Sequence, residues 1–308
     1  MPLSQMDKII PLYDAVQQHR LMYDSGDTDY SVTTLLNPPR VVHLNKRYAH
    51  KIDLYVQDLL YSFTGTAMHE YLEKMLKLAY PDEDIYKMEE RLRMVLLDRK
   101  ISGAFDILRN RKTFYDMKNT SCWKVVKGGK DEWMWQQNMY RYMYWKEYGV
   151  EVDDLRIIGV FRDWSKANMF KGGPKYPRHP AVEYRLPIQP YQDTLDFMTD
   201  SVKRLKAEEE TPDDDLPLCT FEDMWADPDT YAVKSTRIKR AVRVLSSRTA
   251  ANNFIAKYLA NPNCKDKIDM LSIEKRPAER KRCESWCPAN VYCNQFQDYL
   301  KAKALEGA

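Results

Sequence analysis

The segment 101–118 limits the possible fold more than any other part of this 308-residue chain. Apolar residues on both sides of a polar segment around Arg111 predict two short strands joined by a turn. Because side chains alternate between the faces of a strand, Asp116 and Lys118 share one face of the second strand. If the turn is centred on Arg111, residue numbers across the hairpin sum to 222. Asp106 is then predicted to lie opposite Asp116.

Two carboxylates that face each other across a hairpin repel unless a cation lies between them. Asp106 and Asp116 therefore predict a site for Mg²⁺ or Mn²⁺, ions that prefer oxygen ligands. The alternative is a surface hairpin in which these acids only form ion pairs with Lys118. The hairpin alone does not decide between the two.

Composition narrows the class of protein. The chain is 44% hydrophobic and has a net charge of only +3, so it can bury a large core and needs no polyanionic partner to balance its charge. No segment approaches the length of apolar residues that spans a bilayer, and the first residues lack an apolar signal core. We expect a soluble, cytoplasmic protein of a bacterium or a phage-infected cell, with no membrane partner.

The order of predicted elements gives the fold class. Hydrophobic periodicity predicts a helix, a three-stranded meander ending in the hairpin, a second helix, a strand and a third helix. The prediction is an α/β fold, with a mixed central sheet flanked by helices. The predicted segments outside the hairpin are a helix at 52–78, a strand at 88–96, a helix at 131–148, a strand at 155–161, and helices at 191–207 and 247–259.

An acidic run at 208–215 is the clearest boundary in the chain. We expect a mostly helical lead-in at 1–50, a core at 51–207 and a C-terminal segment at 208–308. The C-terminal segment holds a basic run, 234–248, and three closely spaced cysteines.

Four motifs in order resemble one family. His69 follows a glycine on the first predicted helix, Gly103 precedes Asp106 by three residues, Asp116 precedes Lys118 by two, and Gln136 and Tyr140 lie one turn apart on the second helix. The motifs are Gly65-x₃-His69, Gly103-x₂-Asp106, Asp116-x-Lys118 and Gln136-x₃-Tyr140. This order and these intervals resemble the PD-(D/E)XK nucleases of the RecB-like branch, which includes phage exonucleases and CRISPR-associated adaptation nucleases.

The resemblance implies a restriction-endonuclease-like core and a role for each motif. His69 and the main-chain carbonyl of Met117 would join Asp106 and Asp116 as metal ligands, and a histidine ligand favours Mn²⁺ over Mg²⁺. Lys118 would orient water or stabilise the charge that develops on the phosphate. Gln136 and Tyr140 would position Lys118 or the DNA strand. The second acid is aspartate where many relatives have glutamate.

The C-terminal cysteines predict a second metal centre. Cys283, Cys287 and Cys293 are close enough in sequence to bind one metal, and a fourth ligand would come from Cys219 or Cys264, of which we favour Cys219. The spacing fits either Zn²⁺ or an iron–sulfur cluster. Resemblance to nucleases with an iron–sulfur clasp favours a structural [4Fe-4S] cluster, which would close the C-terminal segment back on the core.

The expected activity is hydrolysis of DNA. The resemblance implies an exonuclease on single-stranded ends, acting in phage-type recombination, replication or DNA degradation, with a partner protein from one of those processes. The alternatives are a structure-selective endonuclease and a non-catalytic DNA-binding or assembly module. The basic segments 234–248 and 276–282 are candidates for phosphate contacts. The candidates for stacking on unpaired bases are Trp123, Trp133 and Trp135.

Overall fold

The computed structural model describes residues 11–22, 27–52, 56–82, 84–126, 131–226 and 228–306. Parts of the predicted lead-in (1–10 and 23–26) and the first turn of the predicted helix at 52–78 (53–55) lie outside the described residues. The chain divides into two compact units. Unit 1 comprises Met1–Val42 and Asp53–Thr211, and unit 2 comprises His43–Ile52 and Pro212–Ala308.

Unit 1 has the predicted mixed α/β fold. Predicted helices at 131–148 and 191–207 begin and end at those residues, and all four predicted strands form. Its elements, including the helix α3 in which unit 2 begins, are α1 (Pro11–Met22), β1 (Tyr30–Ser31), α2 (Val32–Leu35), α3 (Pro39–Arg47), α4 (Val56–Ala79), β2 (Tyr86–Leu96), β3 (Arg99–Arg109), β4 (Thr113–Thr120), α5 (Cys122–Val126), α6 (Asp131–Tyr148), β5 (Asp154–Phe161), α7 (Lys166–Lys171), β6 (Ala181–Arg185) and α8 (Tyr191–Ala207).

The central sheet is mixed. Its strand order is β1-β3-β4-β5-β6, and β2 also pairs with β3. Strands β2, β3 and β4 form the predicted antiparallel meander, whereas β1 pairs with β3 and β4 pairs with β5 in parallel. The parallel pairing of β4 and β5 follows from the crossover through α6, because a helix returns the chain to the same end of the sheet.

Two tight turns fix the register of the meander. Leu97 and Asp98 have φ of 49° and 62°, and Asn110 and Arg111 have φ of 51° and 55°. Two successive left-handed residues match the right-handed twist of the flanking strands, as in hairpin turns of type I′. The second turn is closed by a hydrogen bond from the Lys112 N–H to the Arg109 carbonyl, at 3.0 Å.

The core of unit 1 forms around α6, which is buried on most of its surface rather than along one stripe. Phe105, Phe114 and Tyr144 pack with tilted and edge-to-face rings at 4.8–6.0 Å. The cluster contains 21 buried hydrophobic residues among those the structure describes, drawn from α2, α6, α8 and the sheet. This packing holds the helix and the sheet in fixed positions on either side of the predicted catalytic residues.

Unit 2 contains a small sheet that the sequence analysis did not predict. Its described elements after α8 are β7 (Thr230–Ser235), β8 (Ile238–Leu245), α9 (Arg248–Leu259), β9 (Leu271–Arg276), α10 (Lys281–Ser285) and α11 (Asn294–Glu306). The strands are antiparallel in the order β8-β7-β9, so the basic run at 234–248 forms most of a hairpin. The predicted helix at 247–259 is α9, with Ser247 as its N-cap.

The helices of the described residues differ in length and in apolarity. Not one of them has both the length and the apolarity that crossing a bilayer requires.

Candidate functional site

Asp106 and Asp116 lie where strands β3 and β4 separate. The three ladder pairs of this hairpin sum to 222, which confirms the predicted register. The ladder ends at Ile107–Tyr115, one pair before the two aspartates. Instead of a ladder bond, the Asp106 carboxylate accepts a hydrogen bond from the Met117 N–H at 2.7 Å. This bond fixes Asp106 Oδ2 beside the backbone of β4.

His69 reaches the same point from helix α4. Its Nε2 lies 3.0 Å from the Met117 carbonyl oxygen, and its Nδ1 lies 3.3 Å from Asp106 Oδ2. Nδ1 is also 3.5 Å from Glu89 Oε1. His69, Glu89 and Asp106 each offer one ligand atom, and these atoms lie within 4.8 Å of one another. His69 thus contacts two carboxylates through Nδ1 and a main-chain carbonyl through Nε2.

Glu89 is a member of this group that the sequence analysis missed. It is bypassed in the β2–β3 ladder between the pairs Met88–Ile107 and Glu90–Phe105, and its φ is 51°. A left-handed conformation is strained for glutamate and locally redirects the side chain. The ladder register, which pairs residues whose numbers sum to 195, places Glu89 opposite Asp106. That register was the signal that could have identified Glu89.

A second network connects the remaining predicted residues. The Lys118 ammonium nitrogen lies 3.0 Å from Asp116 Oδ1 and 2.9 Å from Oδ2, and it donates to Gln136 Oε1 at 3.0 Å. Gln136 Nε2 donates to the Tyr140 hydroxyl at 3.1 Å. Asp116 is 1% exposed, and its Oδ2 accepts no hydrogen bond although it contacts the ammonium group. Lys118 is therefore held between a buried carboxylate and a buried amide.

Gly103 has a steric reason to be glycine. A Cβ at this position would lie 2.6 Å from Cε1 of Tyr140 and 2.7 Å from Cγ2 of Val32. Contacts this short would push the Tyr140 ring away from β3. Gly103 therefore allows the Tyr140 ring to pack on the strand that carries Asp106.

Burial and neighbouring charges shift the pKa values of Asp106 and His69. Burial and, after it, the charge of Asp116 together raise the pKa of Asp106 to about 7, although the charges of His69 and Lys118 oppose the shift. Burial lowers the pKa of His69, but the hydrogen bond to Glu89 and the charges of Asp106 and Glu89 outweigh burial and raise it to about 9. In the absence of a metal, protons and Lys118 thus balance the charge of the acids.

The cysteines form a separate group in unit 2. Burial raises the pKa of Cys219 to about 12, with further contributions from the charges of Asp223, Cys293 and Cys283. Burial likewise raises the pKa of Cys283 to about 11, with contributions from Cys287 and Cys293. Cys219 therefore interacts electrostatically with Cys283 and Cys293.

Cys264 is engaged elsewhere in unit 2. Its Sγ lies 3.7 Å from the Asp266 carbonyl oxygen, and its charge acts on Tyr258. No three cysteine sulfurs among the described residues lie close enough together to hold one metal ion, so the choice of Cys219 over Cys264 as the fourth ligand stays a prediction.

The tryptophans proposed for base stacking differ in exposure. Trp123 is 51% exposed, but Trp133 is only 6% exposed and belongs to the core. The Trp135 ring stacks on Phe197 at a centroid distance of 4.2 Å. The interpretation of Trp133 as a DNA-stacking residue is therefore wrong, because α6 turns it into the core. Trp135 is half-buried with a neighbouring ring on one face, and its role in stacking stays a prediction.

Comparison with known proteins leaves the chain without an assigned family. No family model and no curated protein matches it. The solved structure of the protein SSO0001 shares 18% identity at a TM-score of 0.42, covering 62% of this chain and 83% of that chain. A protein from Eubacterium rectale named "Putative exonuclease" shares 12% identity at a TM-score of 0.30, covering 68% and 79%. At such low TM-scores, the function has to be argued from the residues of the site.

Proposed function

We propose that this protein is a metal-dependent deoxyribonuclease of the PD-(D/E)XK type. The observation that carries the proposal is the position of Lys118. Its ammonium group is held between Asp116 and Gln136, on the strand whose Met117 carbonyl and N–H contact His69 and Asp106. A surface ion-pair hairpin would not require Asp116 to be 1% exposed or Lys118 to be bonded to a second buried group.

The residues fit a divalent cation. Asp106, Asp116, His69 and the Met117 carbonyl would hold the ion, and the mixed oxygen and nitrogen donors favour Mn²⁺ over Mg²⁺. Asp116 Oδ2 is a buried oxygen that accepts no hydrogen bond, and its contact with the Lys118 ammonium group at 2.9 Å shows that its partner is a cation. When bound, such an ion would activate water for attack and neutralise charge on the phosphate.

The side chains of this site have roles that follow from their positions. Lys118 presents a cation whose ammonium group is 2.9–3.0 Å from both Asp116 oxygens. It can stabilise charge that develops on the phosphate oxygens, because it is already oriented before reaction. Gln136 fixes the ammonium group, and Tyr140 fixes Gln136 through its hydroxyl. Burial raises the pKa of Tyr140, so it acts as a neutral hydrogen-bonding group.

The finer proposal is an exonuclease on single-stranded DNA ends, of the RecB-like branch. Its support is the order and spacing of the four sequence motifs, whose polar side chains lie in two hydrogen-bond networks that meet on consecutive residues of β4. Recombination, replication or DNA degradation in phage or bacteria would supply such ends. A protein partner from those processes belongs to the same proposal.

The cysteine group supports a second proposal, a structural [4Fe-4S] cluster held by Cys219, Cys283, Cys287 and Cys293. Buried thiols with raised pKa values are protonated at neutral pH unless a metal replaces the protons. Cys219, Cys283 and Cys287 are such thiols and Cys293 is buried, so the four would supply the thiolates that an iron–sulfur cluster or Zn²⁺ requires. A brown protein with iron, sulfide and absorbance near about 400 nm is expected after anaerobic purification. A colourless protein with one zinc ion would overturn the iron assignment.

Cleavage assays test the activity. We expect Mn²⁺-dependent degradation of an end-labelled linear single strand, no degradation in EDTA, and no cutting of a closed single-stranded circle. Cutting of the circle would favour the structure-selective endonuclease. DNA binding with no cleavage in Mn²⁺, Mg²⁺ or Co²⁺ would favour the non-catalytic module.

A further inference from the structure

Unit 2 has two exposed tryptophans that face each other across the segments carrying the cysteines. Trp225 is 41% exposed and Trp286 is 48% exposed, although indole rings of this size are mostly buried in folded proteins. Their ring centroids are 6.5 Å apart with an interplanar angle of 55°. Neither was among the tryptophans that the sequence analysis considered for stacking.

The backbone holds this pair in place. The Arg282 N–H donates to the Met224 carbonyl at 3.1 Å, and Ala226 forms an isolated antiparallel bridge with Arg280. Trp225 lies between these two contacts and has a φ of 50°. A left-handed conformation is costly for a bulky residue and is kept where the surroundings enforce it, often at binding sites. The structure therefore fixes one indole ring at the surface before any ligand arrives.

Positive charge accompanies the rings. The Arg282 guanidinium lies 5.4 Å from the centroid of the Trp225 ring, and Arg280 and Lys281 precede it in the chain. A cation over an indole is attracted to the face of the ring and can also meet a phosphate. Exposed aromatic rings beside basic side chains are the combination that binds unpaired bases and their backbone.

We propose that Trp225 and Trp286 form a stacking platform for the unpaired bases of single-stranded DNA. The proposal rests on the deoxyribonuclease function and names a contact outside the catalytic residues. One base would stack on an indole ring, while Arg282 meets the adjacent phosphate. Because Trp286 precedes Cys287 and Arg282 precedes Cys283, the metal held by the cysteines would also fix the platform.

Binding of a fluorescent oligo(dT) strand in EDTA tests the platform without cleavage. Trp225→Ala and Trp286→Ala should each weaken binding about 5- to 150-fold, as expected for loss of one stacked base. Trp225→Phe and Trp286→Phe should bind within about threefold of the native protein, because a phenyl ring still stacks. On a strand with abasic sites, the native protein should bind no more tightly than the alanine variants, because no base is there to stack. Its tryptophan fluorescence should fall as oligo(dT) is added.

Phe221→Ala is the matched control, since Phe221 is a 57% exposed aromatic residue four positions before Trp225 and outside the pair. It should bind like the native protein. The platform is overturned if both alanine variants bind oligo(dT) normally, or if Phe221→Ala weakens binding as much as they do. It is also overturned if they lose iron or zinc in parallel with DNA binding, since the rings would then only cover the cysteines. A native protein that neither binds nor cuts single strands would instead overturn the nuclease proposal.

Discussion

The two candidate metal centres differ in how their charge is balanced without a metal. In unit 1, Lys118 neutralises Asp116, and a proton shared among His69, Asp106 and Glu89 neutralises much of the rest. In unit 2, burial raises the pKa values of Cys219, Cys283 and Cys287, so these thiols are neutral until a metal takes their protons. The first centre is therefore formed in advance, whereas the second becomes charged only as it binds its metal.

The two units also differ in the size of the hydrophobic cluster that surrounds each candidate metal centre. The main cluster of unit 1 contains 21 buried hydrophobic residues within the described ranges. The cluster around the cysteines of unit 2 contains six, one of which is Cys293 itself. Small cores commonly need a metal or a crosslink to be stable. We infer that the metal in unit 1 serves chemistry, and that the metal in unit 2 serves folding.

The largest expected effect separates activity from folding in unit 1. Asp116→Asn and Lys118→Ala should each lower cleavage about 10³-fold or more, because they remove a metal ligand or the preoriented cation. DNA binding should change little, and Asp116→Asn should keep a melting temperature close to that of the native protein, whereas Lys118→Ala leaves the buried Asp116 carboxylate unpaired and should melt lower. Lys112→Ala, an exposed lysine of the same hairpin, is the control and should cleave normally. Loss of DNA binding together with cleavage would argue against the roles assigned to these residues.

The next effect concerns folding of unit 2. Cys219→Ala should remove most of the bound metal and cost about 4 kcal/mol or more in the free energy of unfolding of this unit, as loss of a structural metal does. Cys264→Ala, the matched cysteine outside the group, should keep the metal and melt within a few degrees of the native protein. Metal content by mass spectrometry and calorimetry measure both. Equal metal loss in the two variants would remove the distinction between Cys219 and Cys264.

A smaller effect tests Glu89. Glu89→Gln should weaken Mn²⁺ binding about 10-fold, a typical cost of removing a charged group that orients a ligand. The reason is that Glu89 both contacts His69 Nδ1 and faces the same point as Asp106. Isothermal titration with Mn²⁺ measures the change independently of cleavage. Glu90→Gln is the neighbouring control, and an equal loss in that variant would mean that Glu89 has no specific role.

The smallest effect tests whether unit 2 binds DNA through its hairpin as well as through its metal segment. Lys239, Arg240 and Arg243 are exposed on β8, and within the described part of the chain none of them forms an ion pair. Replacing Lys239 and Arg240 by Ala should weaken oligo(dT) binding only a few-fold and reduce the salt slope by about 1 to 2. Lys203→Ala, a lysine of α8 near Asp200, is the control. An unchanged salt slope would exclude the hairpin from the DNA contact.

Local patterns predicted the centre of the molecule well. The polar turn around Arg111 and the alternation of 113–118 were enough to give the register of the β3–β4 hairpin, because a hairpin pairs residues that are close in sequence. Helices α6 and α8 had clear lengths and boundaries. These elements carry Asp116, Lys118, Gln136 and Tyr140.

The missed features depend on contacts that no local pattern records. Strand β1 is two residues long and exists only because it pairs with β3, about 70 residues later. Strand β8, in the hairpin with β7, has basic residues on successive positions, so its sequence does not show the alternation of apolar and polar residues that marks a strand. Glu89 was hidden because alternation at 88–96 assigns it no special role, whereas its left-handed backbone directs it to His69. The faces of α6 could not be distinguished because nearly all of its middle is buried.

The most direct test of the central claim measures the release of nucleotides from an end-labelled single strand. The native protein and Asp116→Asn are compared in samples whose unit 2 contains the same amount of metal. The account predicts rapid release by the native protein in Mn²⁺, none in EDTA, and about 10³-fold slower release by the variant at unchanged DNA binding. Release at the native rate by Asp116→Asn, or in EDTA, would contradict it.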